Sequence, residues 1–158
     1  MTTRRVLVIC THNSARSQMA EGMLRAWGGE QIAAFSAGTE RSIVRPEAIT
    51  VMREIGIDIS VQRSKLISEF AGQAFDWVVT VCDRAQQQCA TIPGMGPAMH
   101  WSVEDPSAAD GGEEERLAAF RRVRDDLHGR IRRFIRSAGR DDIPPPAPVQ
   151  LPDRIAVD

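Results

Sequence analysis

The sequence has no long hydrophobic run and no excess of either charge. VLVIC (residues 6–10), the apolar run near the N-terminus, is too short for a membrane span or for the core of a signal peptide. With 20 basic and 21 acidic residues the formal net charge is −1, which does not favour binding to nucleic acid. We therefore expect a cytoplasmic protein with neither a membrane nor a nucleic-acid partner, and a monomer is the default expectation.

Cysteine is scarce, and no CxxC pair occurs among the residues Cys10, Cys82 and Cys89. An odd number of cysteines in a chain without an export signal argues against a disulfide framework and favours functional thiols. The three histidines (His12, His100 and His128) also lack the spacing of zinc ligands. We expect neither a metal nor another cofactor.

The pattern of apolar residues and breakers predicts strands alternating with helices. The predicted strands are 5–9, 32–38, 75–81 and 98–101, and the predicted helices are 16–27, 45–56 and 113–137. This alternation is typical of an α/β fold with a mostly parallel sheet, in which ligands bind beyond the carboxyl ends of the strands. We expect one domain over residues 1–138, followed by a proline-rich, loosely ordered tail over 139–158.

The segment CTHNSARSQ follows the first predicted strand and leads into the first predicted helix. Backbone N–H groups of such a loop, together with a helix N-terminus, can bind an anion, and an arginine can grip tetrahedral oxygens through two hydrogen bonds. We expect this environment to favour the thiolate of Cys10. The alternative is a strand-to-helix turn with a merely buried cysteine. The candidate loop residues are Thr11, His12, Asn13, Ser14, Ala15, Arg16 and Ser17.

A thiolate that attacks a tetrahedral oxyanion needs an acid to protonate the leaving oxygen. Asp105 is a candidate because the proline after it stiffens the backbone. An Asp-Pro turn without chemistry is the alternative, and Glu104 and Asp110 are weaker rivals. We expect the His12 side chain to point outward while its backbone contributes to the loop.

The segments VLVICTHNSARSQMAEG, DWVVTVCDRAQQQC and HWSVEDPS together resemble the thioredoxin-coupled arsenate reductases, over about residues 4–136. The resemblance implies the low-molecular-weight tyrosine phosphatase fold, a four-stranded parallel sheet flanked by helices. It makes Cys10 the nucleophile, Arg16 the oxyanion ligand and Asp105 the general acid. Asn13 and Ser17 would support the loop and the thiolate.

The same resemblance assigns Cys82 and Cys89 as resolving cysteines that pass oxidation away from Cys10. Arsenate would be the substrate, phosphate a competing anion and thioredoxin the electron donor, with glutaredoxin–glutathione or mycothiol as alternatives. The chain departs from the family at Ala15, where a further cysteine is common, and at His12, where glycine is frequent.

Cys82 and Cys89 are seven residues apart, which in a helix corresponds to about 10 Å of rise, whereas a disulfide requires Cα atoms within about 7 Å. We therefore expect residues 82–92 to unwind on oxidation if they are helical when reduced. A tyrosine phosphatase is the first rival function. The absence of tyrosine and the sequence SAA after Asp105–Pro106 oppose it. A non-catalytic oxyanion-binding or redox-sensing domain is the second rival.

Overall fold

A four-stranded parallel sheet forms the centre of the computed structural model, which describes residues 3–94, 98–138 and 148–156. The strands are β1 (Arg4–Cys10), β2 (Ile32–Gly38), β3 (Ala74–Phe75), β4 (Trp77–Thr80), β5 (Met99–His100) and β6 (Val149–Gln150). The helices are α1 (Arg16–Gly28), α2 (Pro46–Arg53), α3 (Asp83–Ala90) and α4 (Glu113–Ala138). The order β2-β1-β4-β5, with every pairing parallel, confirms the predicted fold class.

Strand β1 lies inside the sheet, between β2 and β4. Residues 6–9 are fully buried, as expected for an apolar strand with a neighbour on both sides. Its last residue, Cys10, pairs with Gly38 at the end of β2. A side chain at position 38 would place a Cβ atom only 2.7 Å from the Thr11 carbonyl oxygen. Glycine there lets the loop after β1 pack directly against β2.

The helices agree closely with the sequence prediction. Helix α1 contacts α2 and α4, and α3 contacts β1 and β4. Helix α4 buries one apolar stripe along its length (Phe120, Val123, Leu127, Ile131 and Phe134). Helix α2 ends at Arg53 rather than at residue 56, because the chain turns before Gly56, which has a φ of 81°. No helix among the described residues is long and apolar enough to cross a membrane.

The prediction of a single strand over 75–81 is wrong, because Asp76 interrupts the strand. The Asp76 carboxylate accepts a hydrogen bond from the Arg5 N–H at 2.8 Å, and the Asp76 N–H donates to the Arg5 carbonyl at 2.9 Å. Strand β3 before this break pairs with β6 in a separate two-stranded sheet, while β4 after it joins the main sheet.

The C-terminal segment 148–156 packs against the domain, so the prediction of a loosely ordered tail is wrong for these residues. Strand β6 pairs antiparallel with β3, and the Leu151 N–H donates to the Gln73 carbonyl at 2.8 Å. Leu151 is fully buried and Ile155 nearly so, which supplies the apolar contact that composition alone does not reveal. The rest of the predicted tail lies outside the described residues, and the domain boundary at residue 138 stays a prediction.

Candidate active site

The sulfur of Cys10 is buried at the carboxyl end of β1 and contacts two hydrogen-bonding groups. The Ser17 Oγ atom lies 2.8 Å from it, and the Asn13 backbone N–H donates to it at 3.1 Å. Asn13 adopts a positive φ of 50°, a conformation that asparagine tolerates better than most residues. The loop is thus shaped to aim a backbone donor at the sulfur.

The orientation of the Asn13 side chain determines how Ser17 can bond. The Lys65 backbone N–H, which can only donate, lies 2.8 Å from Asn13 Oδ1. The amide nitrogen therefore faces the other way and donates to Ser17 Oγ at 2.7 Å and to Ser36 Oγ at 2.9 Å. Since Ser17 accepts this bond, its own proton is free to point at the Cys10 sulfur.

A layer of buried polar residues supports the loop from behind. Ser36 donates to Glu21 Oε1 at 2.7 Å, and Lys65 Nζ lies 3.3 Å from the same oxygen. Arg25 Nη2 contacts Glu21 Oε2 at 3.0 Å, so the buried carboxylate has two cationic neighbours. The Gln18 side chain adds a hydrogen bond to Asn13 Oδ1 at 2.8 Å. This layer was not predicted from the sequence, although an acidic residue, Glu21, in the middle of the apolar predicted helix 16–27 was a readable signal.

Arg16, the first residue of α1, extends across the site. Its Nη1 atom donates to the Val103 carbonyl at 2.9 Å, and its side chain is mostly buried. A cavity of about 280 Å³ opens in front of the Cys10 sulfur and Arg16. It is lined by Cys10, His12, Ser14, Ala15, Arg16, Ser42, Arg45, Asp105 and Ser107. The helix N-terminus and the guanidinium make this cavity suited to an oxyanion.

Asp105 is the acidic residue that lines this cavity; the two rivals, Glu104 and Asp110, do not line it. Its Oδ2 atom lies 3.9 Å from Arg16 Nη2, and its Oδ1 accepts the Ser107 N–H at 2.9 Å. The side chain is half-exposed and therefore open to the cavity. Glu104 instead pairs with Arg122 on α4, at 3.3 Å.

The other two cysteines lie at the ends of α3, and all three are free thiols. Cys82 caps the helix, accepting the Ala85 N–H at 3.3 Å, and its sulfur lies 3.2 Å from Thr11 Oγ1. Because Thr11 follows Cys10 in the chain, this contact places Cys82 against the loop that bears the first thiol. Cys89 is buried, and this burial, together with nearby Cys82, raises the pKa of its thiol to about 11.

His12 projects from the loop with its side chain half-exposed, as predicted. Its Nε2 atom lies 2.9 Å from Glu40 Oε2, so the ring is tied to the segment after β2. Within the described residues, no three His, Cys, Asp or Glu side chains come close enough together to hold a metal ion.

Comparisons with known proteins agree with this geometry. Residues 5–143 match the low molecular weight phosphotyrosine protein phosphatase family. An arsenate reductase of Halalkalibacterium halodurans is 43% identical over 134 residues, which cover 85% of this chain and 96% of the relative. An arsenate reductase solved in the phosphate-binding state is 34% identical, with a TM-score of 0.69 over 85% of this chain and 98% of the other. One solved in the oxidised state is also 34% identical, with a TM-score of 0.71 over 86% and 99%.

The fold, the loop between β1 and α1 and these likenesses define the class. The chain belongs to the low molecular weight phosphotyrosine protein phosphatase family and, within it, to the arsenate reductases.

Proposed function

We propose that the protein reduces arsenate to arsenite with the three thiols Cys10, Cys82 and Cys89. The observation that carries this proposal is the contact of the Thr11 hydroxyl with the Cys82 sulfur at 3.2 Å, which places a second thiol against the loop that bears the nucleophile. A phosphatase needs only the first of these thiols. The relatives named arsenate reductase support the same conclusion.

The first step forms a bond between sulfur and arsenic. Arsenate binds in the cavity with its oxygens facing the loop N–H groups and Arg16. The Cys10 thiolate, which accepts bonds from Ser17 and Asn13, attacks arsenic. Asp105 in its protonated form gives its proton to the leaving oxygen, so that water departs. Arsenic is still pentavalent in this adduct.

The second step transfers two electrons. The Cys82 thiolate attacks the Cys10 sulfur, and the electron pair of the sulfur–arsenic bond stays on arsenic, which leaves as arsenite. A Cys10–Cys82 disulfide remains. Cys89 then loses its proton and attacks Cys82, which displaces the Cys10 thiolate and leaves a Cys82–Cys89 disulfide. A dithiol reductant returns both sulfurs to thiols and closes the cycle.

The walls of the cavity favour a small inorganic oxyanion over a phosphotyrosine side chain. Ser42, Arg45 and Ser107 line the cavity together with the loop residues, and no Phe, Tyr or Trp does so among the described part of the chain. A phosphotyrosine ring would normally pack against apolar or aromatic side chains. Phosphate, which has the same charge and shape as arsenate, would compete for the cavity.

The proposal extends to the partners and the setting of the reaction. Thioredoxin fits as the reductant because one of its two thiols can attack a Cys82–Cys89 disulfide and the other can then resolve the mixed disulfide. Glutaredoxin–glutathione and mycothiol are the alternatives. Three free thiols suit the reducing cytoplasm, and we propose a monomer that works there.

The decisive experiment separates a single turnover from the full cycle. Without reductant, wild type and Cys89→Ser should each release about one arsenite per protein molecule, whereas Cys10→Ser and Cys82→Ser should release none. With thioredoxin, thioredoxin reductase and NADPH, only wild type should turn over repeatedly. Mass mapping of Cys89→Ser should find the Cys10–Cys82 disulfide.

Two results would contradict this scheme. Arsenite release by Cys82→Ser at the wild-type rate would remove the relay. A wild-type protein that hydrolyses aryl phosphates but leaves arsenate unreduced would make the chain a phosphatase.

A further inference from the structure

The carboxylate of Glu40 joins the nucleophile loop to the helix that bears the resolving cysteines. Glu40 follows β2 by two residues and lies outside the chemical steps described above. Its Oε2 atom is 2.9 Å from His12 Nε2, and its Oε1 atom is 2.7 Å from Arg84 Nη2. Its backbone N–H donates to the Thr11 carbonyl at 2.9 Å, which fixes the residue against the loop.

The neighbouring residue, Thr39, holds the same helix one turn further on. Its hydroxyl donates to Gln88 Oε1 at 2.6 Å. Arg84 and Gln88 are four residues apart and therefore lie on one face of α3 only while that segment is helical. The two contacts, Glu40–Arg84 and Thr39–Gln88, can therefore form together only while α3 is helical.

Oxidation is incompatible with this arrangement. In a helix Cys82 and Cys89 are separated by about 10 Å of rise, more than the Cα separation that a disulfide permits. Formation of Cys82–Cys89 therefore changes the spacing of Arg84 and Gln88. A cavity of about 270 Å³ beside these contacts, lined also by Thr91 and Ile92, leaves room for the segment to move.

We propose that Glu40 is a positioning residue that sets the reduction potential of the Cys82–Cys89 pair. Its bond to Arg84 exists in the reduced, helical form and is lost or weakened in the oxidised form, while its bond to His12 keeps the carboxylate against the loop. The bond to Arg84 stabilises the dithiol, so it raises the potential and makes the disulfide easier for a reductant to open. This inference rests on the proposed function in that it assumes Cys82 and Cys89 form the final disulfide.

The test measures this potential without arsenate. The full chain carrying Cys10→Ser, in which only Cys82 and Cys89 can pair, is equilibrated in mixtures of reduced and oxidised dithiothreitol. Adding Glu40→Gln or Arg84→Gln should shift the equilibrium about threefold toward the disulfide, which is about 15 mV toward a more negative potential. The double variant should shift it no further than either single variant, because both single variants already weaken the same Glu40–Arg84 contact.

Glu54→Gln is the matched control. Glu54 also accepts from two arginines, Arg121 and Arg124, but it joins α2 to α4, far from the cysteines in the chain. Its replacement should leave the potential unchanged. An unchanged potential in Glu40→Gln, or an equal shift in Glu54→Gln, would overturn the role of Glu40.

The outcome is separable from that of the proposed function. If wild type fails to reduce arsenate while Glu40→Gln still shifts the potential, the proposed function falls and the role of Glu40 stands. If arsenate is reduced through the three thiols but the potential does not respond, the role of Glu40 falls and the proposed function stands.

Discussion

The Ser17 hydroxyl lies 2.8 Å from the Cys10 sulfur, and Asn13 determines the direction of that contact. The Asn13 amide donates to Ser17 Oγ because its oxygen is already occupied by the Lys65 N–H. Ser17 is thereby left with its proton directed to the sulfur. One backbone donor on a neighbouring loop thus fixes the polarity of a bond at the nucleophile.

Ser17→Ala removes this donor and leaves the sulfur with the Asn13 N–H alone. Hydrogen bonds to charged groups contribute about 1.5–3 kcal/mol, so kcat/KM for arsenate should fall about 10- to 100-fold. Initial rates at saturating reductant measure the effect. Ser42→Ala is the control, because Ser42 lines the cavity without a bond to the sulfur, and it should change kcat/KM less than twofold. Retention of more than half of the wild-type value by Ser17→Ala would contradict the role of the hydroxyl.

The sequence predicted the parts of the site that are contiguous in the chain. Local composition predicts an apolar strand, a short polar loop and a helix that begins at Arg16. These elements place Cys10 at the carboxyl end of its strand. Cys82 follows another buried strand, β4, and therefore lies at the same end of the sheet, where the carboxyl ends of the strands meet. Parallel pairing of β1 with β4 is the physical reason that these distant residues meet.

Other features depend on contacts that local composition does not encode. Lys65 reaches Glu21 only because the Leu66 backbone bridges to the end of β2. The break at Asp76 arises from a hydrogen bond to Arg5, which is far away in the sequence. The packing of Leu151 against the domain could not be predicted, because the prolines around it are typical of a loosely ordered segment. In each case a tertiary contact overrides the local pattern.

Asp105→Asn should lower kcat for arsenate about 100-fold at neutral pH, because an amide cannot protonate the leaving oxygen. KM should change much less, since Arg16 and the loop N–H groups still bind the anion. Steady-state rates over a range of arsenate concentrations separate the two parameters. Asp110→Asn is the control, because that residue does not line the cavity, and it should behave as wild type. Equal loss in both variants would remove the assignment of Asp105.

Cys89 should be the slowest of the three thiols to react in the reduced protein. Burial raises the pKa of its thiol to about 11, so the neutral form predominates at pH 7. Its alkylation by iodoacetamide should accelerate as the pH rises toward 11, by up to tenfold per unit, because only the thiolate reacts. Mass mapping of the labelled cysteines at several pH values measures this. As a control, Cys89 should lose this protection in urea, where burial is lost. Rapid labelling of Cys89 in the folded protein at pH 7 would contradict the prediction, because it would show that the thiol is accessible.

Leu151→Ala tests whether the C-terminal segment is part of the folded domain. Leu151 is fully buried, and the pairing of β6 with β3 holds it in place. Shortening its isobutyl side chain to a methyl group should lower the free energy of unfolding by about 2–5 kcal/mol, as for other buried leucines. Urea denaturation followed by tryptophan fluorescence measures the change. Arg154→Ala is the control, because that side chain is exposed and should cost less than about 0.5 kcal/mol. If both variants unfold at the wild-type urea concentration, the segment adds nothing to the stability of the domain, and the boundary predicted at residue 138 would also be the energetic end of the fold.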